Sequence, residues 1–172
     1  MPERSPSGAA PSAGTSAPQL AAIDGVIARL RALPGALLPI LHAIQEELGF
    51  VPPAAIERIA FGLNLSRAEV HGVVTFYHDF RTTPPGRHVL KLCRAEACQA
   101  MGSERLEHRL RDQHGLQMRG TAPDGSVTVE PVYCLGNCSL SPSLLLDDRL
   151  IGRVTEQRLD ALLADCKRAG GR

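Results

Sequence analysis

The chain has few aromatic residues, almost no net charge and no long hydrophobic segment. Its 172 residues include no tryptophan, four phenylalanines and two tyrosines, so we expect no row of aromatic side chains for stacking single-stranded nucleic acid. The 19 basic and 18 acidic residues leave a net charge of +1, which argues against a nucleic-acid-binding surface. No apolar run reaches the length of a membrane-spanning helix. We therefore predict no binding to nucleic acid and no membrane insertion.

Motifs for nucleotide binding and catalysis are missing as well. The sequence contains neither G-x-G-x-x-G nor a Walker motif. It has no convincing Ser-His-Asp or Cys-His arrangement. His71 and His78, seven residues apart on one predicted helix, fit packing or an interface better than a metal site. The first residues lack the hydrophobic region of a secretory signal. We predict no catalytic residue and a cytoplasmic location.

Four of the five cysteines fall in two closely spaced pairs. Cys93 and Cys98 are spaced C-x4-C, and Cys134 and Cys138 are spaced C-x3-C. Each spacing allows one loop to direct two sulfurs at one metal atom. Two such loops, brought together by a fold, form a set of four thiolates. A [2Fe–2S] cluster requires such a set, with two thiolates on each iron, so these four cysteines are the candidate metal ligands.

Other uses of four cysteines remain open at this point. Four thiolates also bind structural zinc, in a closed tetrahedral site. Disulfides are disfavoured in a reducing compartment, a thioredoxin-type redox pair requires C-x2-C, and a Rieske centre requires two histidines that neither loop has. A free-standing thiol enzyme is a further alternative. The fifth cysteine, Cys166, lies on the apolar stripe of the last predicted helix, so we interpret it as a core residue.

The first half of the chain predicts a helical module. Residues 1–18 are rich in Pro, Ser, Gly and Ala and predict a disordered tail. Residues 19–80 carry apolar residues at helical spacing in four segments, the last of which begins with a capping box. Five of the six aromatic residues also lie in this half, which indicates either core or an anchor surface for another subunit. These five are Phe50, Phe61, Phe76, Tyr77 and Phe80.

The second half follows a Pro-rich linker and predicts strands mixed with helices. His88–Cys93 alternates as a strand that ends on the first cysteine, and Ser126–Tyr133 is a second strand that ends beside Cys134. A helix between them, a hairpin within residues 144–153 and a last helix give the order β-α-β-β-β-α, with one short strand more or less. We predict an α/β fold in which both cysteine loops lie at one end of a small sheet.

Three residues inside the cysteine loops are candidates for tuning a metal site. The potential of an iron–sulfur centre depends on N–H···S hydrogen bonds, local charge and exposure. Gly136 allows a tight turn in which an amide faces a sulfur, although a plain turn glycine has the same signature. Arg94 and Asn137 either tune the site or are simply solvated.

The segments LCRAEACQA and VYCLGNCSLSP, together with TFYHDF and a Pro-Gly strand entry, resemble the thioredoxin-like [2Fe–2S] ferredoxin family. The resemblance covers roughly residues 33–166. It implies an N-terminal helical module (residues 19–80) that packs on a neighbouring subunit, followed by a thioredoxin-like [2Fe–2S] ferredoxin domain (residues 85–168). The ligands of the [2Fe–2S] cluster that it implies are Cys93, Cys98, Cys134 and Cys138.

The family includes the NuoE-type subunit of respiratory complex I and matching subunits of NAD-linked hydrogenases and molybdenum formate dehydrogenases. The segments LLPILHAIQEELGFVP and SRAEVHGVVTFYHDFR are most similar to the gamma subunit of NAD-dependent formate dehydrogenase. The resemblance implies electron transfer to or from an FMN/NAD-binding beta-type subunit, with a molybdopterin-containing alpha-type subunit beyond it. The alternatives are a complex I subunit, a hydrogenase diaphorase subunit, and a zinc-stapled adaptor without a redox role.

Overall fold

The computed structural model describes residues 15–168, and the chain divides into two units between Pro84 and Pro85. Most of the predicted tail, residues 1–14, lies outside the described residues. The first helix begins at Ala17, so the last two residues of the segment 1–18 are helical, contrary to the prediction. The reason is local, because the Ser16 N–H donates to Gln19 Oε1 (2.9 Å) and the proline that follows Ala17 suits the first helical turn.

Four helices make up the first unit. They are α1 (Ala17–Leu30), α2 (Leu37–Leu48), α3 (Pro53–Leu63) and α4 (Arg67–Phe76). Gly49 ends α2 with a φ of 82°, a left-handed conformation that favours glycine. The predicted capping box begins α4: the Glu69 N–H donates to Ser66 Oγ (3.2 Å), and the Ser66 N–H donates to Glu69 Oε2 (2.8 Å).

The core of this helical unit comes from one apolar face of each helix. Gly62 on α3 explains how closely two of the helices approach, because a Cβ at this position would lie 2.6 Å from Cγ2 of Ile27 on α1. The side chains that anchor the core are fully buried: Ile23, Ile40, Leu41, Ile44, Ile59 and Val70. Among the described residues of the chain, no helix is both long enough and apolar enough to cross a membrane.

The second unit is a mixed five-stranded sheet with helices packed against it. Its strands are β1 (His88–Cys93), β2 (Gly120–Thr121), β3 (Val127–Val132), β4 (Leu144–Leu146) and β5 (Arg149–Ile151). Its helices are α5 (Glu96–Ala100), α6 (Ser103–His114) and α7 (Glu156–Arg168), with a 3-10 turn over Cys138–Leu140. The predicted α/β fold is therefore confirmed, and β2, α5 and the 3-10 turn are additions to it.

The strand order β2-β3-β1-β4-β5 places β1 in the middle of the sheet. β1 and β3 are parallel, with Cys93 opposite Val132, whereas the other neighbouring strands are antiparallel. Leu90 and Leu92 of β1 are fully buried, as are Leu110 of α6 and Leu159 of α7. The parallel pairing brings the ends of β1 and β3 to one edge of the sheet.

An ion-pair cluster joins α6 to α7. Arg109 Nη2 lies 2.7 Å from Asp160 Oδ2, Arg109 Nη1 lies 3.0 Å from Glu156 Oε2, and His114 Nε2 lies 2.8 Å from Asp160 Oδ1. The hydrogen bonds from Arg109 and then His114 lower the pKa of Asp160 to about 2, because both partners favour the ionised carboxylate.

Candidate metal centre

Both cysteine loops leave the same edge of the sheet. Cys93 is the last residue of β1, and Cys134 follows the end of β3 by two residues. β1 is held on both sides at this point, since the Arg94 N–H donates to Val132 O (2.8 Å) and the Cys93 N–H donates to Ser143 O (3.1 Å). The start of the first loop is therefore hydrogen-bonded to both ends of the second loop. One bond is to β3, which precedes the second loop, and the other is to Ser143, which lies between that loop and β4.

The first pair of cysteines is buried. Cys93 and Cys98 are each 2% exposed. Cys98 lies on α5, and the loop before this short helix is closed by Gln99, whose Nε2 donates to Arg94 O (2.7 Å). The buried hydroxyl of Ser103, at the start of α6, donates to Cys93 O (2.6 Å). These bonds fix the first loop between β1 and α6.

The second pair of cysteines is exposed and lies on an irregular loop. Cys134 has a φ of 97° and Gly136 a φ of 73°, so the backbone turns sharply at both positions. This turn directs the Gly136 N–H to Cys134 Sγ at 3.3 Å. The predicted amide-to-sulfur contact of Gly136 is therefore present. Cys138 follows at the start of the 3-10 turn.

The sulfurs of the two loops are close enough to affect one another. The pKa of the Cys138 thiol is raised, first by a hydrogen bond with Cys134 and by its charge, and also by the charges of Cys98 and Cys93. A direct link runs through Ser141, because Cys98 Sγ lies 3.6 Å from Ser141 Oγ and that hydroxyl donates to Cys138 O (2.7 Å). All five cysteines of the chain are free thiols.

The second loop rests on the residues that flank β4 and β5. Asn137 Nδ2 donates to Ser143 Oγ (3.1 Å), and Ser143 Oγ donates in turn to Leu140 O (3.2 Å). Gly152 lies beneath this loop, and a Cβ at that position would be 2.7 Å from both Asn137 Nδ2 and Leu140 Cβ. Asn137 is therefore held by the fold as a support of the loop, and Gly152 leaves the space that the loop fills.

The donor set fits a [2Fe–2S] cluster. Both cysteine loops leave one edge of the sheet, and a backbone amide already points at one of the sulfurs, as thiolate ligands of such a cluster require. Within residues 15–168, no three His, Cys, Asp or Glu side chains converge on a point that a single metal ion would occupy. The two cysteine pairs correspond to two protein thiolates for each of the two irons of such a cluster.

Other residues singled out from the sequence lie apart from this centre or have partners of their own. Cys166 is buried in the core of the sheet unit, and this burial raises the pKa of its thiol. Arg94 Nη2 lies 3.1 Å from Glu107 Oε2, so its charge is paired with α6. His78 is exposed and its Nδ1 lies 2.9 Å from Phe76 O.

The five aromatic residues of the helical unit differ in exposure, and Phe50 is half-buried. Phe61, Phe76 and Tyr77 are 92%, 73% and 45% exposed, whereas Phe80 is 8% exposed and belongs to the core. The hypothesis of an anchor surface is therefore wrong for Phe80. It remains a prediction for the three exposed side chains.

Three residues that no sequence pattern connects with the site support it. They are Ser103, Ser141 and Gly152. Two sequence signals were available: hydroxyl residues close to the cysteines, and a glycine directly after a strand, which often marks a close backbone approach. Neither signal identifies its contact, because each partner lies on a different element.

Comparisons with known proteins agree with this geometry. Residues 23–167 match the family described as thioredoxin-like [2Fe-2S] ferredoxin. The chain is 36% identical over 147 residues to an NADH-quinone oxidoreductase subunit of Rhizobium meliloti, covering 86% of this chain and 88% of the relative. It is 28% identical over 131 residues to the NADP-reducing hydrogenase subunit HndA of Solidesulfovibrio fructosivorans, covering 76% and 77%.

A solved structure has a similar fold over most of this chain. An NAD+-reducing [NiFe]-hydrogenase in the air-oxidized state superposes with a TM-score of 0.65 at 25% identity, covering 83% of this chain. The chain spans only 24% of that hydrogenase chain. The family match covers most of the sequence, and the two cysteine loops lie within the matched residues. The chain therefore belongs to the thioredoxin-like [2Fe–2S] ferredoxin family, and its cofactor is a [2Fe–2S] cluster.

Proposed function

We propose that the chain is the electron-transfer subunit of an NAD-linked oxidoreductase complex. The cluster ligands in this proposal are Cys93, Cys98, Cys134 and Cys138. The observation that carries it is the meeting of both cysteine loops at one edge of the sheet, within hydrogen-bonding reach of each other through Ser141. When bound, the cluster accepts and releases one electron at a time.

The two ligand pairs have different tasks in this proposal. The burial of Cys93 and Cys98 keeps water away from one side of the site. Cys134 and Cys138 are exposed, so their sulfurs bring the site to the protein surface, where a redox group of a partner can approach. The Gly136 N–H, directed at Cys134 Sγ, stabilises added negative charge on that sulfur.

The partner that we propose is an FMN/NAD-binding beta-type subunit. The relatives support this, since their names are those of NADH-quinone oxidoreductase and NADP-reducing hydrogenase subunits. The chain itself has no G-x-G-x-x-G or Walker motif for a nucleotide. In this arrangement residues 85–168 are the ferredoxin domain and residues 19–80 pack on a neighbouring subunit. We place the complex in the cytoplasm, because a reducing compartment keeps thiols available for iron.

The parent complex that we propose is NAD-dependent formate dehydrogenase, with a molybdopterin-containing alpha-type subunit beyond the flavin subunit. This is supported by the amino-acid sequences of residues 37–52 and 66–81, which resemble those of its gamma subunit. A second candidate is NADH-quinone oxidoreductase, which is supported by relatives that are 36% identical over most of this chain. A hydrogenase is the third, supported by the HndA relative.

Purification of the native complex through a tag on this chain tests both levels of the proposal. We expect a red-brown complex that contains FMN and shows a [2Fe–2S] electron paramagnetic resonance signal on reduction. Molybdenum in the complex would identify formate dehydrogenase, and nickel would identify a hydrogenase. Neither metal, together with association with membranes, would identify NADH-quinone oxidoreductase. A colourless chain with one zinc ion would contradict electron transfer altogether.

A further inference from the structure

One side-chain hydroxyl touches a sulfur of the candidate centre and links the two ligand loops. Ser141 is 8% exposed. Its Oγ lies 3.6 Å from Cys98 Sγ of the first loop and donates to Cys138 O of the second loop at 2.7 Å. Its single proton can therefore be directed at a sulfur or at a carbonyl oxygen without movement of any heavy atom.

The direction of this hydrogen bond depends on whether Cys98 binds iron. As a free thiol, Cys98 donates its own proton to Ser141. As a ligand it is a thiolate and can only accept, so a hydrogen bond between the two side chains then requires Ser141 to donate. Added negative charge on the sulfur strengthens an O–H···S bond more than a bond to a neutral carbonyl. The Ser141 hydroxyl therefore favours the reduced state.

The fold holds Ser141 in place for this role. The Ser141 N–H donates to Cys138 O (3.3 Å), and the next residue, Pro142, accepts from the Val154 N–H through its carbonyl oxygen (2.9 Å). Because the residue is buried, water does not easily replace the hydroxyl, and the low local polarity strengthens its hydrogen bond.

We propose that Ser141 is a positioning residue that raises the reduction potential of the centre by donating its hydroxyl proton to the Cys98 thiolate. The electron comes from the partner, and the proton stays on Ser141 throughout. This proposal rests on the proposed function, because it requires Cys98 to be a cluster ligand.

The test is a redox titration of the loaded full-length chain, followed by electron paramagnetic resonance. At a fixed potential, Ser141→Ala should lower the ratio of reduced to oxidised centre about tenfold, which is about 59 mV for one electron. Ser143→Ala is the matched control, since it removes a buried hydroxyl that contacts Asn137 and Leu140 instead of a sulfur. We expect the control to shift the potential much less.

Four outcomes would overturn the proposal. An unchanged potential in Ser141→Ala would remove the role of the hydroxyl, and an equal fall in Ser143→Ala would assign the effect to the loop as a whole. If Ser141→Ala does not retain iron, Ser141→Thr decides, because it keeps the hydroxyl: a potential equal to that of the unmodified chain supports the proposal and a lowered one contradicts it. A chain that binds no cluster at all would instead overturn the proposed function together with this inference.

Discussion

The two units of the molecule differ in their content of cysteines and of aromatic side chains. The sheet unit contains all five cysteines and one aromatic residue, Tyr133. The helical unit contains no cysteine, but it exposes Phe61, Phe76 and Tyr77. Large exposed aromatic side chains are typical of protein interfaces. We therefore expect that iron binding and subunit contact can be disturbed separately, and the following variants test that expectation.

The largest expected effect concerns the cysteines of the sheet unit. Cys98→Ala should abolish stable cluster binding, because one iron then keeps only a single protein thiolate. We expect loss of nearly all visible absorbance and bound iron, measured on the purified chain by absorption spectroscopy and iron analysis.

Cys166→Ala is the control for this variant, since Cys166 is equally buried but lies in the core of the sheet unit. It should retain iron and lose only about 1 kcal/mol of stability from a small cavity. Loss of iron in Cys166→Ala, or retention of iron in Cys98→Ala, would contradict the proposed assignment of the cluster ligands.

The next effect concerns the helical unit. Phe80→Ala should destabilise it by about 3 kcal/mol, because the ring is buried, with His42 5.0 Å away between ring centroids. Phe76→Ala should cost about 0.5 kcal/mol or less, because its ring is exposed. Hydrogen exchange followed by mass spectrometry measures these changes separately in residues 15–84.

The Phe76→Ala variant also tests the contact surface. Phe76→Ala should weaken association with the partner subunit at least about tenfold while iron content stays the same. Parallel losses of iron and of association in Phe76→Ala would show that the two units do not separate these tasks.

The smallest effect concerns the ion pairs between α6 and α7. Asp160 has a lowered pKa, about 2, so its contribution to stability is complete above its unfolded pKa and is lost as pH falls through about 2. Its side chain is 32% exposed, which limits the contribution to about 1 kcal/mol. Asp160→Asn should therefore lose about this amount at pH 7 and at pH 5, and the difference should narrow at pH 3.

Urea unfolding followed by circular dichroism at these pH values measures the loss of stability. Release of iron by acid is expected to affect the unmodified chain and the variant alike. Asp165→Asn is the control, because Asp165 pairs with Arg168 on the exposed side of α7, within one helix. A loss in Asp160→Asn that does not change between pH 7 and pH 3 would contradict the role of the carboxylate charge.

Much of the fold follows from local sequence signals. The apolar stripes, Gly49 and the Ser66 capping box predict the four helices of the first unit, because these signals act within a few residues. β2 was missed because two residues are too short to show an alternating pattern. The five-residue helix α5 was missed for the same reason, although it carries Cys98.

The candidate site was predicted less completely than the fold. The spacing of the cysteines indicates the ligands, and the flexibility of glycine indicates the amide contact of Gly136. The hydrogen bond between Cys98 and Ser141 and the close approach of Gly152 to Asn137 join residues on different elements. Such contacts depend on strand order, which no local pattern encodes.

The parallel pairing of β1 with β3 has a consequence for how the protein is made. A ribosome that has released the chain only as far as α6 has released the first cysteine pair and neither residue of the second. In the folded sheet β3 and β4 lie on either side of β1, and Cys134 and Cys138 lie on the segment between these two strands. At that stage of synthesis only two of the four proposed ligands, Cys93 and Cys98, have been released. We therefore expect the cluster to be inserted after translation.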